Sequence, residues 1–171
     1  QAINVGVNHM ILTGTSISSS IKSLEMATEW YRNSTKKNLL VTIGIHPHDA
    51  STFILKDNQT ISKMRALLQN PLAICVGECG LDYNRNFSTP KDQQIAFREQ
   101  IQLAIELNKP LFIHEREAHN DLIKILQTFD PATLPPIVIH CFTGTATEAQ
   151  TYINLGFYIG FTGTICKKER G

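Results

Sequence analysis

The chain has 171 residues, 42% of them hydrophobic and 18% charged, with 16 basic against 15 acidic side chains and a formal charge of +1. That length supports one real core and not two comfortable domains. A charge so near neutral provides no global field toward nucleic acid, which would have to be held by a local patch or a metal. No apolar run approaches the roughly 18 residues of a membrane span, and four cysteines without paired CxxC spacing read as reduced thiols in the cytoplasm.

Ala2 to Gly6 reads as the tail of a helix and its glycine exit. His9 to Thr13 is expected as a short buried strand, followed by a helix from about Ser18 to Tyr31 with Leu24, Ala27, Trp30 and Tyr31 on one stripe. Leu39 to Gly44 is the second strand, Gln59 to Leu68 a helix, and Leu72 to Gly77 the third strand. Thr89-Pro90-Lys91-Asp92 places a threonine cap, a first-turn proline and an early acid at the start of a helix that ends near Asn108. Strand Leu111 to His114 leads to a helix bearing Leu122, Ile125, Leu126 and Phe129. After Pro135 and Pro136 comes strand Ile137 to His140. Thr145 with Glu148 forms a capping box for a helix running to Leu155, and Tyr158 to Phe161 is the last strand. The chain closes on Lys167, Lys168 and Arg170, a small basic cluster that can hold a nucleic-acid backbone or stand as solvated surface. Neither end reads as a domain boundary, so an interior piece of a longer chain is expected.

Six short apolar strands divided by helices imply a parallel sheet, either doubly wound or part of a barrel. A doubly wound sheet gathers its site at one switch point, whereas a barrel uses the carboxyl ends of many strands. Four strands here end in chemistry-bearing residues: Gly44-Ile45-His46-Pro47-His48, Ile74-Cys75-Val76-Gly77-Glu78, Phe112-Ile113-His114-Glu115-Arg116 and Val138-Ile139-His140. That favours a (β/α)8 barrel, of which about two strands are missing. The two-residue period of a strand puts Glu78 on the face of Ile74 and Val76.

Glu78, His114 and His140 each end a strand on the parity that faces the pore, and imidazole with carboxylate suits a hydrolytic divalent ion. His46 has the same parity above Thr42 and Gly44. It reads as a residue that touches substrate or orients water, or else as one that fixes the strand-helix turn. Arg116 lies two residues past His114 and can clamp a phosphate by two parallel hydrogen bonds, or pair with Glu115, Glu117 or Asp82. Asp82 can orient a ligand histidine and Tyr83 can stack on a sugar or base, although either can simply cap the turn. Gly144-Thr145 and Gly163-Thr164 can offer backbone N–H groups to an anion or serve as turn residues.

With Glu78-Cys79-Gly80-Leu81-Asp82-Tyr83, His114-Glu115-Arg116-Glu117-Ala118 and His140-Cys141-Phe142-Thr143-Gly144 in view, the chain resembles the TatD family of metal-dependent deoxyribonucleases. Asn84 to Pro90 and Tyr158 to Gly163 add to the likeness, which runs over essentially the whole chain. The resemblance implies a TIM-type barrel hydrolase, here one partial domain over residues 1–171 lacking the first strand and the last strand or strands. It implies a 3′-5′ exodeoxyribonuclease acting on single-stranded DNA and extending to RNA, with magnesium as the ion and manganese or zinc as alternatives. By it Glu78 is the shared carboxylate of the metal centre and a catalytic residue, and His114 and His140 are ligands. It also places His46 in the active site near the substrate; with the reading of the residues above, the expected catalytic residues are Glu78, His46 and Arg116, and those that touch substrate are Arg116, His46, Asp82 and Tyr83. A further Asp ligand falls beyond Gly171, and Gln93, Phe97 and Gln100 are chiefly structural. The expected full-length protein is a cytoplasmic monomer with no membrane partner. Two other readings stand beside it: a hydrolase of cyclic amides or esters, against which the strand ends lack a lysine, and a non-catalytic binding protein descended from the enzyme.

Overall fold

Residues 2–34, 38–55 and 59–166 are described by the computed structural model. Its frame is six parallel strands, β1 (Met10–Leu12), β2 (Leu39–Ile43), β3 (Ala73–Asp82), β4 (Leu111–Arg116), β5 (Ile137–His140) and β6 (Tyr158–Ile159). They pair in sequence order from β1 to β6. An order that never reverses has no switch point. It is the winding of a barrel wall, and the sheet curls as a half-barrel.

Between the strands lie α1 (Ile17–Asn33), α2 (Ala50–Leu55), α3 (Gln59–Leu68), α4 (Pro90–Leu107), α5 (His119–Leu126) and α6 (Ala146–Asn154). Right-handed crossovers along a sheet wound in one direction put the helices on one side. The buried cluster agrees. Leu39, Val41 and Ile43 of β2, Val76 of β3, Leu111 and Ile113 of β4 and Ile137 and Ile139 of β5 pack with Leu24, Met64, Phe97, Ile101, Leu122 and Tyr152 of the helices. The alternate positions Phe112, His114, Arg116, Val138 and His140 are only partly buried and form the inner face.

Local signals place the helix ends as the sequence leads one to expect. Thr89 caps α4 by accepting from Asp92 N, Thr145 and Glu148 form a reciprocal box at α6, and Asn108 ends α4 with φ +48°. These caps consume donors that an anion would need. The Thr145 N–H goes to Glu148 and the Gly14 N–H to Thr42 Oγ1 at 3.1 Å, so neither is open to a ligand.

In three places the structure departs from the elements expected of the sequence. β1 is not buried throughout: it pairs on one side only among the described residues, and Ile11 is 44% exposed. The helix α2, preceded by a 3-10 turn at Pro47–Asp49, carries no cap signal of its own. Its start is held by tertiary bonds, Ser51 N donating to Ser88 Oγ at 3.0 Å and Ser51 Oγ to Asp92 Oδ2 at 2.9 Å.

The third correction concerns β3, which does not stop at Gly77 but runs on to Asp82. Its register against β4 slips between Gly77 and Cys79, so Gly77 pairs with Phe112 and Cys79 with Ile113 while Glu78 has no partner. The slip breaks the alternation by which Glu78 was expected to share a face with Val76. Val76 pairs with Leu111 and belongs to the outer core, and the bulge turns Glu78 to the side of His114 instead. Gly77 and Gly80 make this possible, with φ of +145° and +134° and with space so tight that a Cβ would overlap the carbonyl oxygens of Phe112 and His114.

The basic cluster of Lys167, Lys168 and Arg170 lies outside the described residues. Among the described residues no helix is long and apolar enough to cross a membrane.

Candidate metal centre

Three neighbouring strand ends are tied to one another before any side-chain chemistry is considered. The loop after β1 accepts the backbone N–H of Glu78 at Gly14 O (2.8 Å) and that of His46 at Thr15 O (2.8 Å). Helix α4 does the rest with two fully buried amides. Gln100 accepts from Ile45 N at 2.8 Å and donates to Ile45 O at 3.1 Å, which holds the peptide just before His46. Gln93 accepts from Asp82 N at 2.8 Å and donates to Asp82 O at 3.0 Å and to Ser88 O at 2.9 Å.

On this frame Glu78, 8% exposed, meets His114 Nδ1 at 3.1 Å through Oε1, with His46 Nε2 at 3.9 Å. The other nitrogen of His114, Nε2, lies 3.2 Å from Asp82 Oδ2, which also takes His48 Nε2 at 2.8 Å. Asp82 is 1% exposed, and its second oxygen accepts from Asn84 N at 3.0 Å and Arg85 N at 2.9 Å. Its carboxylate is thus fully occupied within the chain.

Charge follows from these contacts. Burial raises the Glu78 carboxyl, but the hydrogen bond from His114 and the nearby His46, His114 and His140 outweigh it and hold the group below its usual range. Burial lowers His114, yet the Glu78 and Asp82 carboxylates beside its two nitrogens hold it above its ordinary value. His46 behaves differently. Burial and then the neighbouring His114 push it down to about 4, so it is neutral near pH 7. Its Nδ1 accepts the His48 backbone N–H at 3.2 Å, so the neutral ring carries its proton on Nε2, which is turned toward Glu78.

His46, Glu78 and His114 present donor atoms all within 4.8 Å of one another. Two imidazoles and an ionised carboxylate in a half-dry cleft are the donor chemistry of a divalent ion, and the set suggests one. His140 sits on the same inner face, in register with His114, with its ring stacked on Phe112 at 4.4 Å. It lies outside the tight group of three, although its charge is felt by Glu78.

Arg116 occupies the inner parity opposite Asp82. None of the three acids considered as its partners is paired with it among the described residues. Glu115 accepts from Ala118 N and Tyr152 Oη, Glu117 from Asn84 Nδ2, and Asp82 from the groups above. Tyr83 is anchored away from the cleft, its hydroxyl donating to Asp121 Oδ2 at 3.1 Å and accepting from Gln94 Nε2 at 2.8 Å. His48 was visible only as the second histidine of His46-Pro47-His48, and its bond to Asp82 depends on tertiary placement.

The chain matches the family model described as TatD related DNase over residues 1–171. It is 42% identical over 171 residues to the 3'-5' ssDNA/RNA exonuclease TatD of Edwardsiella piscicida, an alignment covering 100% of this chain and 62% of that protein. A hydrolase TatD family protein from Entamoeba histolytica superposes with a TM-score of 0.84 at 30% identity, covering 95% of this chain and 54% of that one. YjjV, a TatD homologue from Escherichia coli K12, gives 0.79 at 26% identity over 98% of this chain and 61% of that one. The chain therefore spans about 62% of the length of the curated relatives it matches.

Proposed function

Because the chain belongs to the TatD-related DNase family, we propose that its inner face binds a divalent ion and hydrolyses phosphodiesters of single-stranded DNA, and of RNA, from the 3′ end. The observation that carries this is Glu78, a buried carboxylate turned by a bulge into a group of histidines at the open end of a parallel wall. Glu78, His114 and His140 are the residues that would hold the ion, with magnesium as the physiological choice. When bound, a divalent ion supplies the charge that polarises a phosphodiester and lowers the pKa of a water molecule.

The chain's own residues do the rest. His46 carries its proton on Nε2 and from there donates a hydrogen bond to a non-bridging phosphate oxygen as negative charge grows on it. Asp82 holds His114 and His48 in fixed orientation. Arg116 clamps the phosphate. Residues 1–171 form one barrel domain in part, and the full-length protein acts as a cytoplasmic monomer. The free thiols of Cys75, Cys79, Cys141 and Cys166 suit that compartment.

The test is hydrolysis of end-labelled single strands in magnesium and after chelation. Mononucleotides released from the 3′ end, stopped by chelation and restored by magnesium or manganese, are expected. Turnover of cyclic amides instead, or strand binding that ignores both chelation and the loss of Glu78, would overturn the reading.

Arg116→Ala is expected to raise the KM for an oligonucleotide on the order of tenfold, the worth of a charge-assisted bond, with ion affinity unchanged. Equal loss of both, by calorimetry and kinetics, would assign Arg116 to holding the fold.

A further inference from the structure

Resting on the single-stranded substrate proposed above, we propose that Phe87 is the platform on which a nucleobase of the bound strand stacks. Phe87 is 67% exposed, yet its ring stands 4.8 Å from the ring of His48 at 76°. His48 in turn lies 4.2 Å from His46, which faces Glu78. Phe87 is therefore the outermost ring of a series leading into the candidate centre. Phe161 is almost as exposed at 62%, but its ring contact is with Phe142 and not with a residue of the site.

The loop that presents Phe87 is built and not slack. Asn84 N and Arg85 N are held by Asp82 Oδ1 at 3.0 and 2.9 Å, and Asn86 Nδ2 donates to Tyr83 O at 2.7 Å. On the other side Ser88 Oγ donates to His48 O at 2.8 Å, and Ser88 O accepts from Gln93 Nε2 at 2.9 Å. Both neighbours of Phe87 are thus tied down while its own ring is left in water. Tyr83, the aromatic that sequence alone puts forward for stacking, has its hydroxyl committed to Asp121 and Gln94.

A phenyl ring recognises the π-face of any base and is indifferent to its hydrogen-bonding edge. Base faces are covered in a duplex and open in a single strand. Phe87 on this account contributes selection of strand state and not of sequence. The exposed Arg85 on the same loop makes no ion pair among the described residues and leaves a positive charge near the strand's backbone.

The experiment compares binding of two single strands of equal length by fluorescence anisotropy in magnesium. Both carry hydrolysis-resistant phosphorothioate linkages, and one lacks its bases. The chain is expected to prefer the strand with bases by about tenfold, as one stacked base implies. Phe87→Ala should erase that preference without weakening the abasic strand, and Phe87→Trp should restore it. A preference for bases that survives Phe87→Ala would overturn the proposal and leave the substrate reading standing. Failure of the unaltered chain to bind either strand would remove both.

Discussion

Glu78→Gln is expected to abolish divalent-ion uptake and to cut hydrolysis by on the order of a thousandfold, while the far-ultraviolet circular dichroism stays that of the unaltered chain. The substitution keeps shape and removes charge. Glu78 is the acid that meets His114 Nδ1 and faces His46, and it is ionised because those rings outweigh its burial. A neutral amide leaves the histidines without the anion that balances an incoming cation. The backbone contacts that shape the bulge, including the Glu78 N–H to Gly14 O at 2.8 Å, are untouched. Calorimetric titration with manganese checks the first half. An unfolded variant, or one that takes up the ion as before, would show that Glu78 serves the wall and not the centre.

Gln93→Leu should be the most damaging single change to stability outside the apolar core. Gln93 is fully buried, and its amide satisfies the N–H and the C=O of Asp82 and the C=O of Ser88. Leucine fills similar volume and satisfies none of them. Orphaning a buried backbone group costs about 1–3 kcal/mol. Three of them therefore put the loss at about 3 kcal/mol or more, a large share of the 5–15 kcal/mol that holds a typical domain. Because the same amide fixes Asp82, and Asp82 fixes His48 and His114, ion affinity should fall with stability. Urea denaturation of the variant checks the first effect. A midpoint within experimental error of the unaltered chain would mean that water or a shifted backbone replaces the amide.

What could be read from the sequence and what could not divide along the range of the interactions. Thr89 and Thr145 announce their helices because a cap is satisfied within four residues. The inner parity of His114 and His140 follows from plain alternation along β4 and β5, and the structure keeps it. Glu78 was put forward as a ligand, but its face was argued from an alternation that the strand does not obey. The register slip at Gly77 and Cys79 is a property of β3 against β4, and the two glycines only hint at it.

The contacts of Asp82 were legible in kind and not in partner. A carboxylate after a strand can orient a histidine, but nothing local says that His48 and His114 both reach it. The family resemblance marked Gln93 and Gln100 on α4 as chiefly structural, and the structure supplies the reason in the two peptides they clamp. Phe87 lay inside the Asn84 to Pro90 likeness with no role attached to it, because an aromatic in a loop carries no period that says which way its ring points.

The central claim is that the histidines of the inner face and Glu78 form one ion-binding group. It is tested most directly by following the ring-nitrogen resonances of all histidines by NMR while zinc is added. Large coordination shifts are expected at His114 and His140, with a smaller change at His46, whose Nδ1 stays bonded to backbone, and none at His9 or His119. Glu78→Gln should suppress those shifts. Coordination at His9 or His119, or shifts at His114 that persist without Glu78, would contradict it.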